Sequence, residues 1–141
     1  MRFWDASAIV PLIADEPMRK RLLDLLDQDS EIVAWWGTPV EISSALARRE
    51  REKTLSAQEV TAAFAVARDL ATSWHEIIPS DAVRRTAERL LRVHPLRAAD
   101  SLQLAAALIA ADHDTRSLDI VCLDARLASA AQREGFSVIG L

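Results

Sequence analysis

The strongest constraint on this chain is an alternation. Apolar runs too short to be helices are each followed by a stretch with helical periodicity. Phe3-Trp4 leads into Ser7 to Ile13, and Ile32 to Trp35 into a helix from Pro39 to about Glu52. Ile77-Ile78 leads into Asp81 to Arg92, and Ile120 to Leu123 into Ala125 to Glu134, before a final strand at Ser137 to Ile139. Further helices are expected at Met18 to Asp27, Ala57 to Trp74 and Leu96 to Asp112. Alternating strands and helices predict an α/β sandwich around a mainly parallel sheet, here of about four or five short strands with about seven helices. With 141 residues, no repeat and no Gly/Ser linker, residues 1–141 read as a single domain.

Punctuation supports these elements. Thr38-Pro39-Val40-Glu41 offers a cap, a proline at the first helical position and a glutamate at capping-box spacing, and Ser56-Ala57-Gln58-Glu59 repeats that spacing. Gly135 follows a helical stretch where a left-handed residue often ends a helix, and Pro95 separates two helices.

Four acids stand where chemistry is possible. Asp5 and Asp124 each follow a short strand, and in a parallel sheet the carboxyl ends of strands form the crevice where ligands bind. Each also has the composition of a helix N-cap, the more so Asp124, and one carboxylate can both cap and face a cation. Glu41 fits a capping box with Thr38. Asp100 shares a helical face with Leu96, Leu104 and Ala107, where an anion needs a partner, either Arg97 nearby or a bound cation. Oxygen ligands with few histidines select Mg²⁺ or Mn²⁺ over zinc.

Other classes are poorly served. His75, His94 and His113 lie in separate segments without zinc spacing and are expected on the surface or in loops. Gly37, Gly135 and Gly140 are too few and too scattered for a dinucleotide or phosphate loop, and no Ser/His/Asp nucleophile elbow is present. Cys122, the single cysteine, sits in an apolar run and is expected to be a small core residue. No run approaches the ~20 apolar residues of a membrane span, and Asp5 interrupts the start where a signal peptide needs its apolar stretch, so a cytoplasmic protein is expected. A net charge of -4 does not suggest a bulk nucleic-acid coat, but it is compatible with a nuclease whose carboxylates hold divalent cations.

In their local settings the four acids resemble those of the PIN-domain ribonucleases, and most closely the VapC-type toxins of toxin-antitoxin pairs. The resemblance spans nearly the whole chain. It rests on Asp5-Ala6-Ser7-Ala8-Ile9-Val10, on Glu41-Ile42-Ser43-Ser44-Ala45-Leu46 and on Leu96-Arg97-Ala98-Ala99-Asp100-Ser101-Leu102-Gln103-Leu104-Ala105. The fourth motif is Leu123-Asp124-Ala125-Arg126-Leu127, followed by Ala130-Ala131 and Glu134-Gly135. Each motif is short, and their order and spacing together are specific. Trp35-Trp36-Gly37 departs from the usual smaller polar approach to the glutamate.

The resemblance implies a PIN-like three-layer sandwich, endoribonuclease activity dependent on Mg²⁺ or Mn²⁺, a homodimer, and inhibition by a small cognate VapB-type antitoxin. It assigns metal binding to Asp5 and Asp100, with Glu41 and Asp124 completing the acidic pocket and Ser7 as a polar supporter. RNA also needs positive charge outside that pocket. Arg48, Arg49, Arg51 and Lys53 near one helix end, and Arg84, Arg85, Arg89, Arg92 and Arg97 leading to Asp100, are candidates, with Arg97, Arg48 and Arg92 foremost. Their alternative is a solvated face paired with neighbouring glutamates. Two further readings stay open: a non-catalytic module of the same fold, and a related nuclease acting on DNA. The tryptophans Trp35, Trp36 and Trp74, with Phe64, are expected in the core or an interface rather than as base-stacking platforms.

Overall fold

The computed structural model describes residues 1–140. Five strands form one parallel sheet: β1 (Arg2–Trp4), β2 (Ile32–Trp35), β3 (His75–Ile77), β4 (Asp119–Val121) and β5 (Val138–Ile139), in the spatial order β3-β2-β1-β4-β5. Seven helices connect and cover them: α1 (Ala6–Ile13), α2 (Arg19–Gln28), α3 (Thr38–Arg51), α4 (Ala57–Ala71), α5 (Asp81–Val93), α6 (Ala98–Ala110) and α7 (Ala125–Arg133). The expected α/β sandwich is therefore present, with a sheet that is parallel throughout.

The central strands β2, β1 and β4 read as apolar runs because both faces of the sheet are buried there. The edge strand β3 is instead His75-Glu76-Ile77, largely exposed, and Ile78, expected in it, lies outside and is exposed. Side chains alternate between two cores, as the period of two requires. Phe3, Val33, Trp35 and Ile120 face α5, α6 and α7, while Trp4, Ile32, Ala34 and Val121 face α1 to α4. The stretch called helical from Leu96 begins two residues later, at Ala98. Its Leu104 to Leu108 are all buried, and alanine at three of these five positions lets the backbone approach its neighbours closely.

Three local expectations are corrected. Thr38 does not cap α3. Gly37 precedes the helix without a side-chain cap, Thr38 is itself helical and fully buried, and Glu41 turns to another partner, whereas the Ser56/Glu59 capping box has both halves in place. Trp74 falls outside α4, whose end at Ala71 is closed by the Thr72 and Ser73 hydroxyls, and its indole donates to Glu76 at 3.0 Å. Trp36, expected in a core or interface, lies in the turn just past β2 and is 54% exposed, so it is outside the core.

His94, expected on the surface or in a loop, lies in the connection after α5 and is buried there. Its Nε2 lies 2.7 Å from Glu134 Oε1, and the Arg89 guanidinium donates to both oxygens of the same carboxylate at 3.3 and 3.2 Å. Burial works against charge on Glu134, but the hydrogen bonds from Arg89 and His94 outweigh it and hold the carboxyl below its usual range. This ties the end of α5 to the end of α7. Glu134→Ala leaves the buried imidazole without that partner, so a loss of about 1–3 kcal/mol in urea unfolding is expected. Arg89→Ala, at an exposed guanidinium, is expected to cost less than about 1 kcal/mol in the same measurement.

Candidate active site

The sheet order fixes where ligands gather. From β1 the chain moves outward through β2 and β3, then returns to the other side of β1 for β4 and β5. The carboxyl ends of β1 and β4 are thus a topological switch point, the place where a crevice opens in such sheets. Asp5 directly follows β1, and Asp124 follows β4 after Cys122 and Leu123. Glu41 comes from the first turn of α3 and Asp100 from the first turn of α6. All four side chains line one cleft of about 570 Å³, together with Ser7 and Arg48.

Each acid stands at the start of a helix, where the macrodipole favours negative charge. Asp5 caps α1, accepting from the Ser7 amide at 3.0 Å, and Asp124 caps α7, accepting from the Leu127 amide at 2.8 Å. The capping and cleft-lining readings of these residues hold together. Ser7 is built into the same corner, since its hydroxyl accepts from the Leu123 amide at 2.9 Å and holds the strand end against α1.

Favourable helix ends do not offset the crowding of like charge. Burial raises the Asp5 carboxyl above its ordinary range even though Ser7 donates to it, and Asp100 and Asp124 push it further. Glu41 is raised to about 7, first by burial and then by Asp5 and Asp100, against the opposing hydrogen bond from Gln103. Asp100 is raised by burial and by Asp124, with Arg126 and Arg97 opposing at longer range. Among the described residues, none of the four acids is within ion-pair reach of a lysine or arginine. The partner considered for Asp100, Arg97, does not make that pair.

The donor set is one of oxygens. Cys122 lies in the same corner, 3.8 Å from Asp5 Oδ2 and 3.7 Å from the Ser7 hydroxyl, but burial and the nearby Asp5 push its thiol up to about 12. No three His, Cys, Asp or Glu side chains among the described residues stand closely enough to form a preformed cage. Oxygen donors of this kind suit Mg²⁺ or Mn²⁺ better than zinc.

Cations sit beside the acids. A lobe of about 540 Å³ continues the cleft past Glu41, Asp100 and Asp124 and is lined by Arg48, Arg97 and Arg126. Arg92, read with Arg48 and Arg97 as an RNA contact, lies exposed on α5 and lines neither part of the cleft. Arg126 went unremarked as a contact although it stands within a motif of the sequence, two residues after Asp124. Arg49 is tied to Glu16, and Arg84 pairs with Asp81.

No protein-family model and no curated protein matches this chain in sequence. Solved structures do match its fold. A chain of a toxin-antitoxin complex from Klebsiella pneumoniae superposes with a TM-score of 0.65 at 13% identity, over 99% of this chain and 97% of that one. PAE2754 from Pyrobaculum aerophilum does so with a TM-score of 0.63 at 19% identity, over 97% of this chain and 81% of its own. At such identities the likeness is one of fold.

Proposed function

We propose that this protein is a divalent-metal-dependent endoribonuclease and the toxin of a toxin-antitoxin pair of the VapBC type. The observation that carries the proposal is the meeting of four carboxylates, from four distant segments, in one cleft where, among the described residues, no basic side chain pairs with any of them. Crowding that raises carboxyl pKa values has no structural benefit, and such perturbation marks functional sites. The fold shared with a chain of a toxin-antitoxin complex agrees with a toxin and extends the proposal to a cognate antitoxin, while the homodimer rests on the sequence resemblance alone.

Asp5 and Asp100 would hold a Mg²⁺ or Mn²⁺ ion, with Glu41 and Asp124 completing its surroundings. The ion when bound supplies positive charge that lowers the pKa of a water and neutralises charge on a departing phosphodiester oxygen. Glu41, in the first turn of α3, would orient or deprotonate the attacking water. Ser7 holds the β4 end against α1 and so fixes the spacing of Asp5 and Asp124. Arg48, Arg97 and Arg126 would seat the phosphates of a single strand along the adjoining lobe.

The deciding experiment is induced expression in bacteria of the wild type beside Asp100→Asn, with sequencing of new RNA 5′ ends. Growth arrest with discrete cuts in the wild type alone supports the proposal. Identical RNA ends in both strains would remove it.

The arginine lobe carries its own prediction. Replacing Arg48, Arg97 and Arg126 together with Ala is expected to make the slope of log affinity against log salt shallower by about 2, since each phosphate contact on single-stranded nucleic acid contributes about 0.7. Filter binding to a short oligoribonucleotide checks it, and Arg92→Ala in the same assay is expected to leave the slope unchanged.

A further inference from the structure

Gln103 is the residue the acidic site does not explain. It lies on α6, one turn beyond Asp100, among Leu102, Leu104 and Ala105, and is fully buried. Its amide nitrogen donates to Glu41 Oε2 at 2.7 Å and to the Thr38 hydroxyl at 3.1 Å. Thr38 is also fully buried, and it stands one helical turn before Glu41 on α3. The amide thus spans from α6 to two successive positions on one face of α3.

The other half of the amide has no partner. Gln103 Oε1 is buried without a hydrogen bond among the described residues. An acceptor left in that state works against folding, and an apolar side chain of the same shape would avoid the penalty. Turning the amide over would let its oxygen accept from the Thr38 hydroxyl, but would set that oxygen against the Glu41 carboxylate and lose the bond to it. Stability therefore does not account for a glutamine here. The bond to Glu41 does, because it engages one carboxylate oxygen and leaves Oε1 of Glu41 free of any protein hydrogen bond among the described residues.

We infer that Gln103, braced by Thr38, is a positioning residue that fixes the Glu41 carboxylate in the cleft. This rests on the nuclease reading for what Glu41 does, and on geometry alone for the brace. Outer partners that orient a metal-site carboxylate typically change metal affinity or activity 10–100-fold when removed. Thr38 reaches Glu41 only through the amide, so its own removal has a smaller effect in the same direction.

The test is a double-mutant cycle with Mn²⁺ as the probe, read by calorimetry, on wild type, Gln103→Met, Glu41→Gln and the double variant. Gln103→Met is expected to weaken Mn²⁺ binding about tenfold or more in the wild-type background and less than twofold beside Glu41→Gln. Thr38→Val provides a second, shape-conserving route to the same weakening. Equal losses in both backgrounds would mark a packing defect, and no loss in either would remove the brace. A metal-free readout separates the two readings: the Gln103 side-chain amide resonances are expected to move on Glu41→Gln. Unmoved resonances overturn the brace whatever the metal does. Moved resonances in a wild type that binds no Mn²⁺ overturn the nuclease reading, and with it the role given to Gln103, leaving the contact as structure only.

Discussion

Asp5→Asn protein, purified free of metal, is expected to unfold at a higher temperature than the wild type at pH 7.5 while cleaving RNA about 10²- to 10⁴-fold more slowly. The two effects have one cause. Asp5 is 4% exposed, with Asp100 and Asp124 near enough to raise its pKa, so its charge opposes the folded state. Asparagine caps helices as well as aspartate does, so the bond from the Ser7 amide survives the exchange. What disappears is the buried charge, with an expected gain of about 0.5–2 kcal/mol. A divalent cation loses a ligand in the same exchange. Asp100→Asn is expected to follow the same pattern with a smaller gain, because that carboxyl is only partly buried. Thermal unfolding and a Mn²⁺-dependent cleavage assay on one preparation check both halves. A variant that loses stability and activity together would make Asp5 a structural cap and nothing more, and one that cleaves as the wild type does would remove it from the site.

The sequence made the sheet and three of its acids readable for a simple reason. Short apolar runs between helical stretches allow little but parallel strands with crossovers, and an acid just past a strand, as at Asp5 and Asp124, falls at the sheet's carboxyl edge whatever the loops do. Asp100 was readable because an acid in an alanine- and leucine-rich helix calls for an explanation. Glu41 drew attention through a spacing whose local meaning was wrong. Thr38 and Glu41 stand as a capping box would, yet the pull of the core buries Thr38 and a glutamine 62 residues away takes the carboxylate.

Gln103 itself carried no local signal. A polar residue in a buried helix is informative only once its partner is known, and periodicity does not report contacts between distant segments. His94 was hidden in the same way, since Glu134 lies 40 residues from it. That Arg126 lines the cleft and Arg92 does not was hidden because charge along a helix says little about which side faces a cleft. α7, capped by Asp124, carries Arg126 in its first turn beside the acids, while Arg92 stays outside. Cys122 was expected to be a small core residue and is indeed buried, with its thiol beside Asp5 and the Ser7 hydroxyl.

Adding Mn²⁺ at about 100 times its dissociation constant is expected to stabilise the protein by about 2.7 kcal/mol at pH 8, and by much less at pH 5.5. Without metal, the Glu41 carboxyl is raised from 4.5 to about 7 by burial and by Asp5 and Asp100. Below pH 4.5 it is protonated whether the chain is folded or not. Between 4.5 and 7 the unfolded chain gives up the proton while the folded chain keeps it, so stability from this group falls as pH rises, and above 7 the loss is complete. The full shift corresponds to about 3 kcal/mol, which partial exposure reduces to about 1–2 kcal/mol. A cation prefers the ionised cluster, so across the same window its binding displaces protons and tightens as pH rises. Metal-free and Mn²⁺-saturated proteins should therefore diverge in melting temperature from pH 5.5 to 8, one falling while the other holds or climbs. Glu41→Gln should flatten the metal-free curve over that range. Equal Mn²⁺ shifts at both ends would mean that the ion binds away from these carboxylates, and no shift at pH 8 would mean that the four acids share a cleft for some purpose other than holding a cation.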